Sequence, residues 1–297
     1  MKVKSILLML AAIALFACSP CSRQCTKKSV QKNIGLQLYS LRSNIEKIGI
    51  DSVIKITGET GYKYIESASY QPNEGTVYGI APEEFKAKCE AAGLTPLSCH
   101  VVKNLDEEYS AVMAWWDKCI DVHQRAGMSI IVQPVMETPE TVERAAEYAK
   151  YFNEVGEKCN AAGLKFGYHN HAYEFEKRYE QPDGKQITLY EYLIQNTDAD
   201  KVFFEMDVYW TVIGRRSPVE FFKKYPGRFH ILHIKDEMTL GESGMVGFDA
   251  IFNNAETAGT KYLIVEVERY DCPPTESCKK SLDYLNRADF VKEDYSK

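Results

Sequence analysis

Eight short apolar runs, each followed by an amphipathic stretch, predict one α/β domain folded as a (β/α)8 TIM barrel. The alternation itself is the first observation. The second is that glycine and proline sit at the joints between runs, and the third is that polar residues gather at the C-terminal ends of many different runs.

The strand-like runs are 33–39, 63–67, 94–101, 129–134, 164–170, 201–208, 229–234 and 261–267. Between them, 51–60, 82–92, 107–126, 139–162, 189–195, 218–225, 248–258 and 276–288 repeat apolar residues at a spacing near 3.6 (the helical period). Pro82, Pro139 and Pro218 fall where a first helical turn belongs, since proline lacks the N–H that turn leaves unused. Gly61, Gly93, Gly127, Gly163 and Gly259 close helices just before the next strand. Eight βα units in about 265 residues match the usual size of such a barrel. A doubly wound open sheet shares the alternation, but no glycine-rich phosphate loop follows the first strand.

Ahead of the domain, Lys2 and Lys4 precede an apolar run ending at Leu15-Phe16-Ala17-Cys18. A charged start, a short apolar core and small residues describe a secretory signal over residues 1–17. The run resembles a bacterial lipobox, which makes Cys18 the expected lipid-carrying residue, residues 18–32 a polar tether and 33–297 the barrel. The expected location is periplasmic, anchored to the outer membrane and touching it only through Cys18. The formal net charge of −6, with no basic stripe outside the tether, argues against a nucleic-acid partner. Of nine cysteines, Cys18, Cys21 and Cys25 lie at the tether; Cys89, Cys99, Cys119 and Cys159 read as buried thiols. Cys272 and Cys278 are close enough in sequence to pair, and pairing is left open.

The site of such a barrel lies at the C-terminal rim of its strands. There the sequence delivers Gln37 and Tyr39, Glu66, His100, then Tyr168-His169-Asn170-His171 with Glu174 beyond, and Glu205-Met206-Asp207-Val208-Tyr209-Trp210. His233-Ile234-Lys235-Asp236 and Glu266-Val267-Glu268-Arg269 follow. Carboxylates and imidazoles inside apolar strands are costly unless paired or bound to a cation. Asp207, His233 and Glu266 on three consecutive strands therefore call for a shared partner, and their oxygen and nitrogen donors suit one divalent Mn, Zn, Mg or Co ion.

From about 33 to 288 the chain resembles the xylose isomerase-like TIM-barrel superfamily of sugar isomerases, epimerases and inosose dehydratases related to endonuclease IV. The likeness rests on Tyr168-His169-Asn170-His171, the Glu205–Trp210 run, His233-Ile234-Lys235-Asp236 and Val265-Glu266. It implies a metal held by Glu174, Asp207, His233 and Glu266. One position departs from the pattern: the epimerases carry a strand-five acid where this chain has Gly167, and Glu174 is the nearest replacement, as in the dehydratase-like branch.

The expected activity is isomerase or epimerase chemistry on an unphosphorylated carbohydrate, started by removing a proton next to a carbonyl. A lyase or hydratase acting on a 3-keto-glycoside or inosose is the alternative, and a non-catalytic sugar-binding lipoprotein is the reading from another class. Glu174 and Glu266, with His100, His169 and His171, are candidate proton carriers, and Lys235 a candidate for stabilising an oxyanion. Gln37, Tyr39, Glu66, Tyr209, Trp210, Glu268 and Arg269 are candidate substrate contacts. Trp115, Trp116 and His123 read as helix packing, and the polar loop 173–185 as a lid. A small carbohydrate is the expected partner; a homo-oligomer is compatible with the sequence.

Overall fold

The computed structural model describes residues 31–296. The leader, Cys18 and most of the tether lie outside them, as do Cys21 and Cys25. Eight parallel strands close into a barrel in sequential order: β1 (Ile34–Gln37), β2 (Tyr64–Ser67), β3 (Thr95–His100), β4 (Ile130–Gln133), β5 (Lys165–His169), β6 (Val202–Asp207), β7 (Ile231–Ile234) and β8 (Tyr262–Val265). β1 pairs with both β2 and β8, which completes the ring.

Each predicted run contains one of these strands, and helices occupy the stretches between. Pro82 and Pro218 open their helices as expected. Pro139 does not: the helix Val142–Ala161 starts later, where the Thr141 side chain accepts a hydrogen bond from the Arg144 N–H. The stretch 248–258 is two short helices, Phe248–Phe252 and Ala255–Ala258. The loop read as a lid is an ordered helical turn, Tyr173–Glu176, followed by an antiparallel hairpin of Arg178–Glu180 with Gln186–Thr188. Two residues assigned to the tether belong to the barrel body. Gln31 donates to the Gly61 carbonyl, and Lys32 is buried with its ammonium 2.8 Å from the Leu285 carbonyl, capping the C-terminal helix.

Alternate residues of a strand face opposite sides, so every strand feeds one set of side chains to the barrel axis. The lower axis is apolar: Leu97, Ile130, Val132, Phe203, Ile231 and Ile264. A second, larger core lies between strands and helices and contains Trp116, whose indole N–H donates to Tyr151 Oη at 2.6 Å. Trp115 packs on the same core, and His123 is fully buried beside Tyr70. Cys272 and Cys278 are both free thiols. No described helix is long and apolar enough to cross a membrane.

Candidate metal centre

Above the apolar layer the same inward parity turns polar. Gln37, Glu66, His100, His169, Glu205, Asp207, His233, Lys235 and Glu266 converge at the C-terminal mouth, and all except His100 are buried. Within this cluster two groups of four bring one ligand atom each to within 4.8 Å of one another. The first is His169, Asp207, His233 and Glu266; the second is Glu66, His100, Glu205 and His233. His233 belongs to both.

The first group has the marks of a cation site. His169 Nε2 lies 3.6 Å from Asp207 Oδ2, and His233 Nδ1 lies 3.5 Å from Glu266 Oε2. Both His169 nitrogens, Asp207 Oδ2 and His233 Nδ1 are buried without a hydrogen-bond partner. Orphaned buried polar atoms are expensive, and one cation would satisfy three of these together: a His169 nitrogen, Asp207 Oδ2 and His233 Nδ1. Burial pushes Asp207 up to about 7 and, helped by the neighbouring His233, drives His169 well below the ordinary imidazole range. Both shifts express the cost of charge in a dry pocket. The surroundings hold the donors in place: Asp207 Oδ1 accepts from the Trp210 N–H at 2.8 Å, and Asn170 Oδ1 accepts from the Asp207 N–H at 3.2 Å.

The second group is largely satisfied: apart from the shared His233 Nδ1, Glu205 Oε1 is its one buried atom without a partner. Glu66 Oε1 receives Gln37 Nε2 at 2.9 Å and lies 3.0 Å from His100 Nε2 and 2.6 Å from His233 Nε2; Ser98 Oγ donates to Oε2 at 2.6 Å. His100 Nε2 also meets Glu205 Oε2 at 2.7 Å. Burial works against the His100 cation, but Glu66 and Glu205 outweigh it and raise its pKa to about 10.

Glu174 joins neither group among the described residues. It is buried, with Oε1 accepting from Tyr168 Oη at 2.7 Å and Oε2 from the His171 N–H at 2.9 Å. The fourth member of the first group is His169, which faces the barrel axis two residues beyond Gly167. Gln37 and Glu66, expected as substrate contacts, have no exposed surface; Glu66 is held against His233, with Gln37 bonded to it. The remaining candidates do reach the mouth. Tyr39 is 44% exposed under the Arg42 guanidinium, and Trp210 lies 5.6 Å from His171 and 5.1 Å from the Lys235 ammonium. Lys235 bonds Glu266 at 3.1 Å and Glu268 at 2.8 Å, while Tyr209 and Arg269 both bind Glu237. Sequence reasoning gives Glu205 no role. Its signal is parity, because a residue two before Asp207 on one strand faces the same way.

A barrel with a buried carboxylate–imidazole cluster at its C-terminal mouth is the architecture of a TIM-barrel enzyme. The chain belongs to the xylose isomerase-like TIM barrel family, whose model matches residues 54–288. It is similar to two crystal structures from Parabacteroides distasonis, each described as a sugar phosphate isomerase/epimerase. The first is 35% identical, with a TM-score of 0.82, over 92% of this chain and all of that one. The second is 33% identical, with a TM-score of 0.80, over 88% of this chain and all of that one. The IOLI protein with a bound zinc atom shares the fold at 14% identity and a TM-score of 0.63, over 89% of this chain and all of that one. Curated proteins give no match.

Proposed function

We propose that the protein is a divalent-metal-dependent sugar isomerase or epimerase that removes a proton next to a carbonyl of an unphosphorylated carbohydrate. The observation that carries this reading is the set of partnerless buried donors on His169, Asp207 and His233, closed by Glu266. The family and the two similar isomerase/epimerase structures support the same chemistry. A cation held by those four residues supplies Lewis acidity to a carbonyl and an adjacent hydroxyl oxygen.

The chain's own groups handle the protons. Burial raises Glu266, but the Lys235 ammonium and His233 outweigh it, so its carboxyl stays ionised and is a weak base until a proton transfer is assisted by loss of those contacts. His171 follows β5, three strands around the barrel from β8. Burial lowers its pKa to about 4, which leaves it neutral at pH 7 with an unpartnered Nδ1. Two proton carriers reaching the mouth from different strands suit epimerisation. Lys235 stays charged because its carboxylate neighbours, Glu266 foremost, outweigh the effect of burial, and it can steady an oxyanion. An uncharged substrate fits the mouth: Lys235 is paired with Glu266 and Glu268, and Arg269 with Glu237, so neither cation is left for a phosphate.

The second reading is a lyase or hydratase on a 3-keto-glycoside or inosose. It is favoured by the lack of a strand-five carboxylate, with Gly167 in its place and Glu174 tied to Tyr168. Keto-sugars and 3-keto-glycosides incubated in D2O with Mn²⁺ and followed by NMR separate the two. Deuterium gained with the carbon skeleton intact supports isomerisation or epimerisation, and loss of a C–O bond supports the lyase. A chain that takes up no divalent ion and exchanges no proton sinks both, leaving a sugar-binding protein.

A further inference from the structure

We infer that Glu66 is a positioning residue that fixes which nitrogen of His233 faces the metal, and that the group of Glu66, His100, Glu205 and His233 is a hydrogen-bonded brace, so the pocket holds one divalent ion and not two. The inference rests on the reading that His169, Asp207, His233 and Glu266 hold a cation.

A neutral imidazole offers one lone pair and one N–H. His233 therefore ligates through only one of its two nitrogens, and the two groups compete for it. The geometry settles the competition. Nε2 lies 2.6 Å from Glu66 Oε1, a short charge-assisted contact, whereas Nδ1 has no hydrogen-bond partner and lies on the Glu266 side. A metal-bound histidine commonly donates its other N–H to a carboxylate, which sets its tautomer and ring angle. Glu66 is placed to be that carboxylate.

Glu66 is also heavily committed to protein donors, three on Oε1 and one on Oε2. A carboxylate has about four acceptor sites. Four donors surround this one: the Gln37 amide, the Ser98 hydroxyl and the two imidazoles of His100 and His233. The Gln37 amide is locked in the donating orientation, because its own oxygen accepts the Tyr39 N–H at 3.0 Å. Without Glu66 and His233, a second ion would have only His100 and Glu205.

The test is calorimetric titration of the wild type, Glu66→Gln and Glu66→Asp with Co²⁺, read together with Co²⁺ visible absorption and apo-protein melting. The expected wild-type result is one equivalent. Glu66→Gln is expected to keep that equivalent but bind it about 10–100-fold more weakly, with an altered Co²⁺ spectrum and an apo form that still melts cooperatively. Glu66→Asp, which restores the carboxylate, is expected to recover part of the affinity. Two equivalents in the wild type, or wild-type affinity in Glu66→Gln, overturns the brace while leaving the metal-dependent function standing. No Co²⁺ uptake by the wild type removes that function, and the brace with it.

Discussion

Gly167 and Phe203 share one space: they are register partners on β5 and β6, and a Cβ at 167 would lie 2.5 Å from Phe203 Cζ. The phenyl ring fills the barrel axis at the level of residue 167, where the family resemblance implies an acid. Glycine at 167 is therefore the packing partner of Phe203, and His169, two residues on, is the inward polar residue of β5. Substituting Gly167→Ala should destabilise the fold by about 1–3 kcal/mol through overpacking. Adding Phe203→Leu should recover part of it. Chemical denaturation of the single and double variants checks this, and strict additivity would show that the two positions are not coupled.

Asp207 has two duties that different substitutions separate. Its Oδ1 caps the helix Val208–Ile213 through the Trp210 N–H, and its Oδ2 belongs to the metal group. Asp207→Asn should keep the cap and weaken metal binding. Asp207→Ala should weaken binding and also lower apo stability by about 0.5–2 kcal/mol. Metal titration beside apo melting curves distinguishes them.

Glu174→Gln should still bind a full equivalent of metal, because its carboxylate is committed to Tyr168 and the His171 N–H. Glu174→Ala should cost about 1–3 kcal/mol in stability by leaving those buried donors without an acceptor. Elemental analysis showing metal lost from Glu174→Gln, with melting unchanged, would restore Glu174 as a ligand.

Two histidines far from the metal group set an acid limit. Burial lowers His123 and His230 to about 4, below the ordinary histidine value of 6.5. The unfolded chain then binds protons that the folded chain refuses, so their stabilising share is complete above about pH 6.5 and is lost as pH falls toward 4. Each group contributes a slope of up to about 1.4 kcal/mol per pH unit in that window. Comparing the wild type with His123→Phe by denaturation at several pH values isolates one share: the variant should lose less stability between pH 7 and 5. Parallel profiles would mean that His123 is protonated in the fold.

The barrel is legible because alternation, punctuation and length are local properties that eight units repeat. Asp207, His233 and Glu266 are legible for a related reason, since each is a charged or imidazole residue within or at the end of an apolar strand. Which further groups join them is not. Parity says that His169, Glu205 and Asp207 point inward, but the depth at which each side chain ends depends on the stagger between neighbouring strands, which no single strand encodes. Glu174 looks available in sequence because nothing there shows Tyr168 Oη turning to meet it. The start of the helix Val142–Ala161 escapes for a smaller reason: proline tolerates the first turn, but the Thr141 side chain is what caps it.

The burial of Lys32 against the end of the C-terminal helix fixes where the chain enters the barrel. That point precedes β1, on the face of the barrel opposite the C-terminal mouth. Were Cys18 the mooring point, the twelve residues from Ser19 to Val30 would reach at most about 43 Å. Whatever precedes residue 31 therefore joins the barrel at its floor, and an attachment made from that side would turn the opening outward.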